Sequence, residues 1–254
     1  MTTPRLVAFD LDDTLAPSKS PLDPRMSELL TKLLEKVEVC IISGGQIAQF
    51  RSQVIERLDG ADDAALRRLH LMPTCGTQYF RHKDGQWQQV YAETLSDDEK
   101  SRALAAVEQE ARRLGLWEAE TWGPILEDRG SQITFSALGQ AAPVAAKSAW
   151  DPTGEKKSVL RSAVAELLPD LEVRSGGSTS VDITRKGIDK AYGMDKLADA
   201  SGIPLDDMLF VGDRLDQAGN DYPVLAMGVT CHAVEGWEDT ADYLDELIPT
   251  LPTP

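Results

Sequence analysis

At the start of the chain, short apolar runs that stop at polar residues alternate with a segment whose apolar residues recur at helical spacing. Residues 6–9 are apolar and stop at Asp10, as a buried parallel strand does at the carboxyl edge of its sheet. The pair Asp23-Pro24 then predicts a helix start, and the apolar positions after it recur with a helical period: Met26, Leu29, Leu30, Leu33, Leu34 and Val37. Residues 37–42 form a second apolar run that enters the Ser-Gly-Gly turn at 43–45. This order predicts a β-α-β unit of a parallel sheet.

The pattern changes over residues 85–185. Polar alternation predicts strands at 87–91, 132–135 and 180–183, and helical spacing predicts one helix from the capping box at 96–99 to Gly115 and another over 159–168. Residues 139–154 are predicted to connect these two helices. After the insertion, a helix ends near Gly202 and an apolar strand at 208–211 stops at Gly212. We therefore predict a core domain of residues 1–84 and 186–254, interrupted by an α+β domain of residues 85–185.

Composition narrows the classes of function. The 254 residues carry 42 acidic and 26 basic side chains, a formal charge of −16, and no basic stripe, so nucleic acid and anionic membranes are excluded as partners. No apolar run is long enough to span a bilayer, and the three cysteines and three histidines show neither zinc spacing nor a catalytic triad. We expect a cytoplasmic protein in which any phosphate site is local.

Three carboxylates carry the candidate chemistry. Asp10 and Asp12 stand two residues apart at the end of the first strand, and Asp213 follows the strand at 208–211. Paired carboxylates at this spacing need a cation, so we predict Mg²⁺ held by all three. Asp10 would attack phosphorus and form an aspartyl-phosphate, while Asp12 would protonate the leaving oxygen and later deprotonate water. For this motif alone, an acidic turn that caps a helix is the structural alternative.

Other polar residues fall at matching strand and helix ends. The Ser43 hydroxyl and the Gly44 amide are predicted to donate to a phosphoryl oxygen, although for this motif alone an ordinary β-turn is the favoured alternative. Lys190 lies at the start of a helix, where a cation is unfavourable for the helix dipole, and a contact to the phosphate would explain its presence there. Lys186 competes for this role, and a solvated surface lysine is the structural alternative. Near Asp213 lie Asp216, Asn220 and Asp221, of which one could bind the metal; Asn220 and Asp221 are the supporting candidates.

In order, these segments resemble the four motifs of the haloacid dehalogenase (HAD) superfamily of phosphohydrolases and phosphomutases: residues 10–15 (DLDDTL), 41–45 (IISGG), 186–190 (KGIDK) and 211–221 (VGDRLDQAGND). The insertion resembles the type IIB cap, and residues 83–85, 127–139 and 175–183 resemble the eukaryotic-type phosphomannomutase branch. The resemblance implies a Rossmann-like three-layer α/β/α core with an α+β cap, Mg²⁺ as cofactor, and a homodimer formed through the cap. It implies substrate contacts at Thr14, Gly44, Arg129, Ser180 and Asp182, although simple packing is the alternative for Ser180 and Asp182.

The cap departs from that branch at two positions where the family has arginines that grip a second phosphate. These positions hold Trp122 and Gln140, neither of which supplies a charge. We therefore predict a Mg²⁺-dependent phosphatase that acts on a small phosphorylated metabolite, with a sugar phosphate as the favoured substrate. The alternatives are a phosphomannomutase or phosphoglucomutase and a non-catalytic sugar-phosphate-binding protein.

Overall fold

A computed structural model describes residues 3–252 and separates into two compact units. The core unit comprises Met1–Ala92 and Asp189–Pro254, and the cap unit comprises Glu93–Ile188. The strands are β1 (Leu6–Phe9), β2 (Glu38–Ile42), β3 (Leu69–Met72), β4 (Gln78–Lys83), β5 (Gln86–Ala92), β6 (Leu126–Asp128), β7 (Gln132–Ser136), β8 (Leu171–Ser175), β9 (Ser180–Arg185), β10 (Met208–Gly212) and β11 (Thr230–Ala233). The α-helices are α1 (Pro24–Leu34), α2 (Ile47–Gln53), α3 (Asp63–Leu66), α4 (Asp97–Arg113), α5 (Val144–Trp150), α6 (Glu155–Leu167), α7 (Lys190–Ser201), α8 (Tyr222–Ala226) and α9 (Trp237–Leu247). No helix in the described range is both long and apolar enough to cross a bilayer.

The core unit is built on a seven-stranded sheet in the order β11-β10-β1-β2-β3-β4-β5. The first five strands in this order are parallel, and β4 and β5 extend the sheet as an antiparallel hairpin. Because β1 lies between β10 and β2, the residues that follow these three strands emerge at one edge of the sheet. The predicted α/β fold class is confirmed.

Helices cover both faces of the core sheet, since its central strands are apolar on both sides. Val7 and Phe9 pack into the apolar cluster formed with α1, α2 and α9, whereas Leu6 and Ala8 pack into the cluster formed with α7 and α8. The Asp23 side chain caps α1 by accepting from the Arg25 amide. The result is a three-layer unit in which β1 is fully enclosed.

The cap unit has a four-stranded antiparallel sheet in the order β6-β7-β9-β8. The inward-facing Ile133 and Phe135 of β7 pack in one apolar cluster with Val107 of α4 and Val164 of α6. Ser96 and Glu99 form the predicted capping box at the start of α4. The cap unit is therefore an α+β structure, as predicted for the insertion.

Two features of the predicted insertion need correction. The strand predicted at 87–91 is β5, which pairs with β4 in the core sheet, so the core unit extends to Ala92 and resumes at Asp189. The alternation of polar and apolar residues marks an edge strand, but it does not show which sheet the strand joins. The predicted connection at 139–154 contains α5.

A buried polar network lies inside the core sheet on β2, β3 and β4. His70 is fully buried, with Nδ1 2.8 Å from the Tyr79 hydroxyl and Nε2 2.8 Å from Glu38 Oε2. Arg81 Nη1 lies 2.8 Å from His70 Nδ1. Burial lowers the pKa of His70, and the hydrogen bond to Glu38 opposes this shift only in part. The folded protein therefore favours the neutral imidazole.

We expect His70 to reduce stability in acid. Below the ordinary pKa of 6.5, the unfolded chain binds a proton at His70 that the folded chain does not bind, so stability is lost as pH falls from 6.5. In urea unfolding between pH 7 and 5, a His70→Gln variant should lose stability less steeply than the unaltered chain, by about 1 kcal/mol per pH unit. Parallel curves for the two proteins would contradict this assignment.

Candidate active site

Three carboxylates meet at the carboxyl edge of the core sheet. Asp10 follows β1, Asp213 follows β10, and Asp221 precedes α8; each offers one oxygen within 4.8 Å of the others. The backbone amide of Asp10 donates to Val211 O at 3.0 Å, which keeps Asp10 in register with β10. An all-oxygen set at this spacing suits a hard divalent cation.

Lys190 is the cation inside this cluster. It is the first residue of α7 and is 1% exposed, with Nζ 2.7 Å from Asp10 Oδ1 and 2.5 Å from Asp221 Oδ1. Lys186 is exposed and belongs to the cap unit. Of the two predicted candidates, the structure therefore places Lys190 beside Asp10.

Burial dominates the electrostatics of the cluster. Burial raises the pKa of Asp10 to about 7, although the neighbouring Lys190 ammonium lowers it. Burial, followed by the charge of Asp221, also raises the pKa of Asp213. For Lys190, burial disfavours the charge, but Asp10 and Asp221 outweigh it and raise the pKa of its ammonium. The three carboxylates are thus only partly compensated, which favours a further cation among them.

The side chain of Asp12 lies outside this cluster, so of the predicted metal set of Asp10, Asp12 and Asp213 the structure brings together the carboxylates of Asp10 and Asp213. The Asp12 carboxylate instead accepts from the Lys19 amide at 2.8 Å, from Gln49 Nε2 at 3.0 Å and from Gln53 Nε2 at 3.2 Å. The turn after β1 places Asp12 in a bridge with Ala16 and directs its carboxylate toward α2. In the cluster its place is taken by Asp221, for which the sequence predicted only a supporting role.

Gly212 explains how Asp221 comes so close. A Cβ at this position would lie 2.4 Å from Asp221 Oδ2, so only glycine leaves room for the carboxylate. Asp221 is fully buried and also accepts from the Arg214 amide at 3.1 Å. Asn220 is exposed, and Asp216 pairs with Arg214, so neither belongs to the cluster.

The remaining predicted core residues lie around the cluster. Thr14 is buried; its hydroxyl donates to Asp213 Oδ1 and accepts from the Asp213 amide, both at 3.1 Å. These bonds make Thr14 a support for Asp213. Ser43 is buried at the end of β2, and its Oγ accepts from the Gly45 amide at 3.2 Å. Gly44 is half-buried in the same turn.

A row of polar side chains occupies one face of the cap sheet. Asp182 on β9 accepts from Gln132 Nε2 at 2.9 Å and from Thr134 Oγ1 at 2.7 Å, and Ser180 Oγ lies 3.2 Å from Ser136 Oγ. Ser180 and Asp182 were predicted from the sequence, but their three partners on β7 were missed. The alternation of polar and apolar residues in QITFS was the available signal.

The charged residues of the cap are largely paired. Arg129 is 7% exposed along its side chain and forms an ion pair with Glu127 at 2.7 Å. The side-chain amide of Gln140 donates to Ser136 Oγ at 2.6 Å, and Lys147 Nζ donates to the backbone carbonyl of Gln140 at 2.7 Å. Trp122 is 46% exposed. Lys147 therefore brings a cation next to one of the two positions where the expected arginine is missing.

Comparison with known proteins identifies the family. The sequence model of eukaryotic phosphomannomutase matches residues 26–250. The chain belongs to the eukaryotic phosphomannomutase family. Phosphomannomutase 1 of Mus musculus is 24% identical over 248 residues, which cover 95% of this chain and 91% of that protein.

Solved structures share the fold of this phosphomannomutase-family chain. An N-terminally truncated, IMP-bound IMP-nucleotidase of Plasmodium falciparum is 14% identical with a TM-score of 0.70, and the match covers 98% of this chain and 69% of that chain. A haloacid dehalogenase-like hydrolase of Bacteroides thetaiotaomicron is 14% identical with a TM-score of 0.61, covering 96% and 100%. The chain is an enzyme of the HAD superfamily, as the order of its motifs indicated.

We expect Lys190 to be required for stability because it compensates buried carboxylates. A Lys190→Met substitution keeps the length of the side chain but leaves Asp10 and Asp221 without their buried partner, and should reduce the free energy of unfolding by about 3 kcal/mol. Lys186→Met is the matched control, with an expected change within about 0.5 kcal/mol. Urea unfolding followed by circular dichroism measures both; equal effects would show that Lys190 does not compensate the cluster.

Proposed function

We propose that this protein is a Mg²⁺-dependent phosphomutase that interconverts hexose phosphates through a phosphorylated Asp10. The observation that carries the proposal is the phosphomannomutase family match, which runs through both the core and the cap units. The sequence alone favoured a phosphatase, with the mutase as its alternative. The family match and the phosphomannomutase relatives support that alternative better.

The core residues supply the chemistry of phosphoryl transfer. Asp10 attacks phosphorus as the bond to the sugar oxygen breaks, and the Lys190 ammonium, 2.7 Å from Asp10, offsets negative charge on the phosphoryl group. Asp12 gives a proton to the leaving sugar oxygen. In the return step, Asp12 takes a proton from the accepting hydroxyl while that hydroxyl displaces Asp10 from phosphorus. A hexose bisphosphate supplies the phosphoryl group that first loads Asp10.

Asp10, Asp213 and Asp221 would hold Mg²⁺ in this scheme. The fit rests on three carboxylate oxygens within 4.8 Å of one another and on the raised pKa values of Asp10 and Asp213, which a cation would reverse. Bound Mg²⁺ would neutralise charge on the phosphoryl oxygens. Thr14 keeps the Asp213 carboxylate oriented through its hydroxyl.

A phosphatase is the second candidate, and the cap favours it. A mutase must retain a doubly phosphorylated sugar, yet Gln140 and Trp122 are uncharged and Arg129 is neutralised by Glu127. Lys147, next to Gln140, is a cation that could assist the retention of a second phosphate. If retention is weak, water takes the phosphoryl group from Asp10 instead of the sugar.

A side-by-side assay separates the two functions. Mannose 1-phosphate and glucose 1-phosphate are each incubated with Mg²⁺, with and without a hexose 1,6-bisphosphate, and both hexose 6-phosphate and inorganic phosphate are measured. We expect 6-phosphate to form faster than inorganic phosphate and only when bisphosphate is added. Asp10→Asn should reduce the rate at least about 10³-fold.

The other outcomes have defined meanings. Release of inorganic phosphate without isomerisation would replace the mutase with the phosphatase. If neither product forms above the Asp10→Asn background, the protein transfers no phosphoryl group from these sugars, and the proposal is withdrawn in favour of a sugar-phosphate-binding protein.

Mg²⁺ should stabilise the folded protein more at pH 8 than at pH 6. Since the pKa of Asp10 is about 7, the cation must displace a proton at pH 6 but meets an ionised carboxylate at pH 8. Mg²⁺ at about 100 times its dissociation constant should raise Tm at pH 8 by roughly 5–10 °C. Differential scanning fluorimetry against an EDTA control measures the shift, and Asp213→Asn should abolish it. A shift of the same size at both pH values would contradict the involvement of Asp10.

A further inference from the structure

The carboxylate of Asp12 is held on both oxygens by residues with no assigned role. Oδ1 accepts from the Lys19 amide at 2.8 Å and from Gln53 Nε2 at 3.2 Å, and Oδ2 accepts from Gln49 Nε2 at 3.0 Å. The Lys19 ammonium lies 3.6 Å from Oδ2 and donates to Gln49 Oε1 at 2.9 Å. Since each partner donates to the carboxylate, together they determine the direction in which it points.

Each of these donors is itself held in place. Gln53 is 2% exposed, and its Nε2 also donates to Ser20 O at 2.7 Å. Lys19 has a φ of 60°, a left-handed conformation that is costly for a residue with a side chain, and in this conformation its amide reaches Asp12. Gly45 leaves space for Gln49, because a Cβ there would lie 2.4 Å from Gln49 Oε1. The fold therefore maintains this arrangement at some conformational cost.

We propose that Lys19, Gln49 and Gln53 form a clamp of positioning residues that orients Asp12 for proton transfer to and from the substrate oxygen. The inference rests on the proposed function in one respect only: Asp12 must act as the acid and base of phosphoryl transfer. It does not depend on whether a sugar or water finally accepts the phosphoryl group.

Substitutions in the clamp should slow different substrates to different extents, depending on the leaving group. When Asp10 displaces an alkyl oxygen, such as that of a sugar, the oxygen leaves as a poor alkoxide unless a proton is delivered as the bond to phosphorus breaks. A 4-nitrophenyl oxygen leaves as a stable anion and needs no proton. A variant that misdirects Asp12 therefore slows the sugar phosphate selectively, whereas general damage to the fold slows both esters.

The experiment compares kcat/KM for a hexose 1-phosphate and for 4-nitrophenyl phosphate in the Mg²⁺-loaded protein. Gln49→Ala and Gln53→Ala each remove a donor to Asp12 and should lower the ratio of the two values by about tenfold, through kcat on the sugar phosphate with KM within about twofold. Lys19→Met keeps the backbone amide that donates to Asp12 and removes only the ammonium, so it should lower the ratio less. Asp12→Asn removes the acid itself, so it gives the largest fall in this ratio that any clamp variant can reach. Gly45→Ala removes no donor but displaces the Gln49 amide, so it should reproduce the effect of Gln49→Ala.

Gln46→Ala is the matched control, because Gln46 precedes α2 and its side chain makes no capping hydrogen bond. Its ratio should remain that of the unaltered protein. Equal losses on the two esters in the clamp variants, or an unchanged ratio, would overturn the clamp. If the aryl ester does not react, the kcat and KM values on the sugar phosphate alone provide the test: a rise in KM with kcat intact overturns the clamp.

The same measurements distinguish failure of the proposed function from failure of the clamp. A protein that releases inorganic phosphate without isomerisation loses the mutase assignment, but the ratio still tests the clamp. A protein in which Asp12→Asn lowers kcat on neither ester has no role for Asp12 in proton transfer, and this result overturns the clamp whatever the reaction.

Discussion

The buried ammonium of Lys190 is the interaction on which the site depends. It is 1% exposed and contacts both Asp10 and Asp221, so two carboxylates from distant parts of the chain can be buried together. Without it, their mutual repulsion and the loss of hydration would oppose the packing of the strand ends. Even with it, the pKa of Asp10 rises to about 7, which leaves the cluster ready to bind a further cation.

Close backbone packing brings this ammonium into place. Gly193, in the first turn of α7, lies against the segment that follows β3: a Cβ at Gly193 would be 2.8 Å from Cys75 O, and one at Gly76 would be 2.6 Å from Gly193 Cα. Thr74 and Cys75 have positive φ, which is costly for residues with a side chain, so this segment stores strain next to the site, whereas Gly76 adopts its positive φ freely. The contact fixes where α7 begins and hence where Lys190 lies. Gly212 serves Asp221 in a comparable way.

The core and the cap contribute different parts of the function. In the proposed mechanism Asp10, Lys190 and Asp12 have the same roles in a mutase and in a phosphatase, so the core does not distinguish the two reactions. The outcome depends on how firmly a second phosphate is retained, which the resemblance attributes to the cap. There, a buried polar row on β7 and β9 presents neutral and acidic groups, and Arg129 is paired with Glu127. The family match and these side chains favour different reactions, and turnover measurements distinguish them.

The sequence by itself indicated the parallel core, the insertion and the strand ends at which Asp10 and Asp213 lie. These features follow from local signals, since an apolar run that ends at a polar residue marks the edge of a sheet. Only the tertiary structure decided that β5 joins the core sheet, that Asp221 replaces Asp12 in the carboxylate cluster, and that Lys190 and not Lys186 lies beside Asp10. The first outcome depends on which sheet a local hairpin joins, and the other two depend on which side chains meet from distant parts of the sequence and on where a side chain points after a turn. The hydrophobic period does not carry that information.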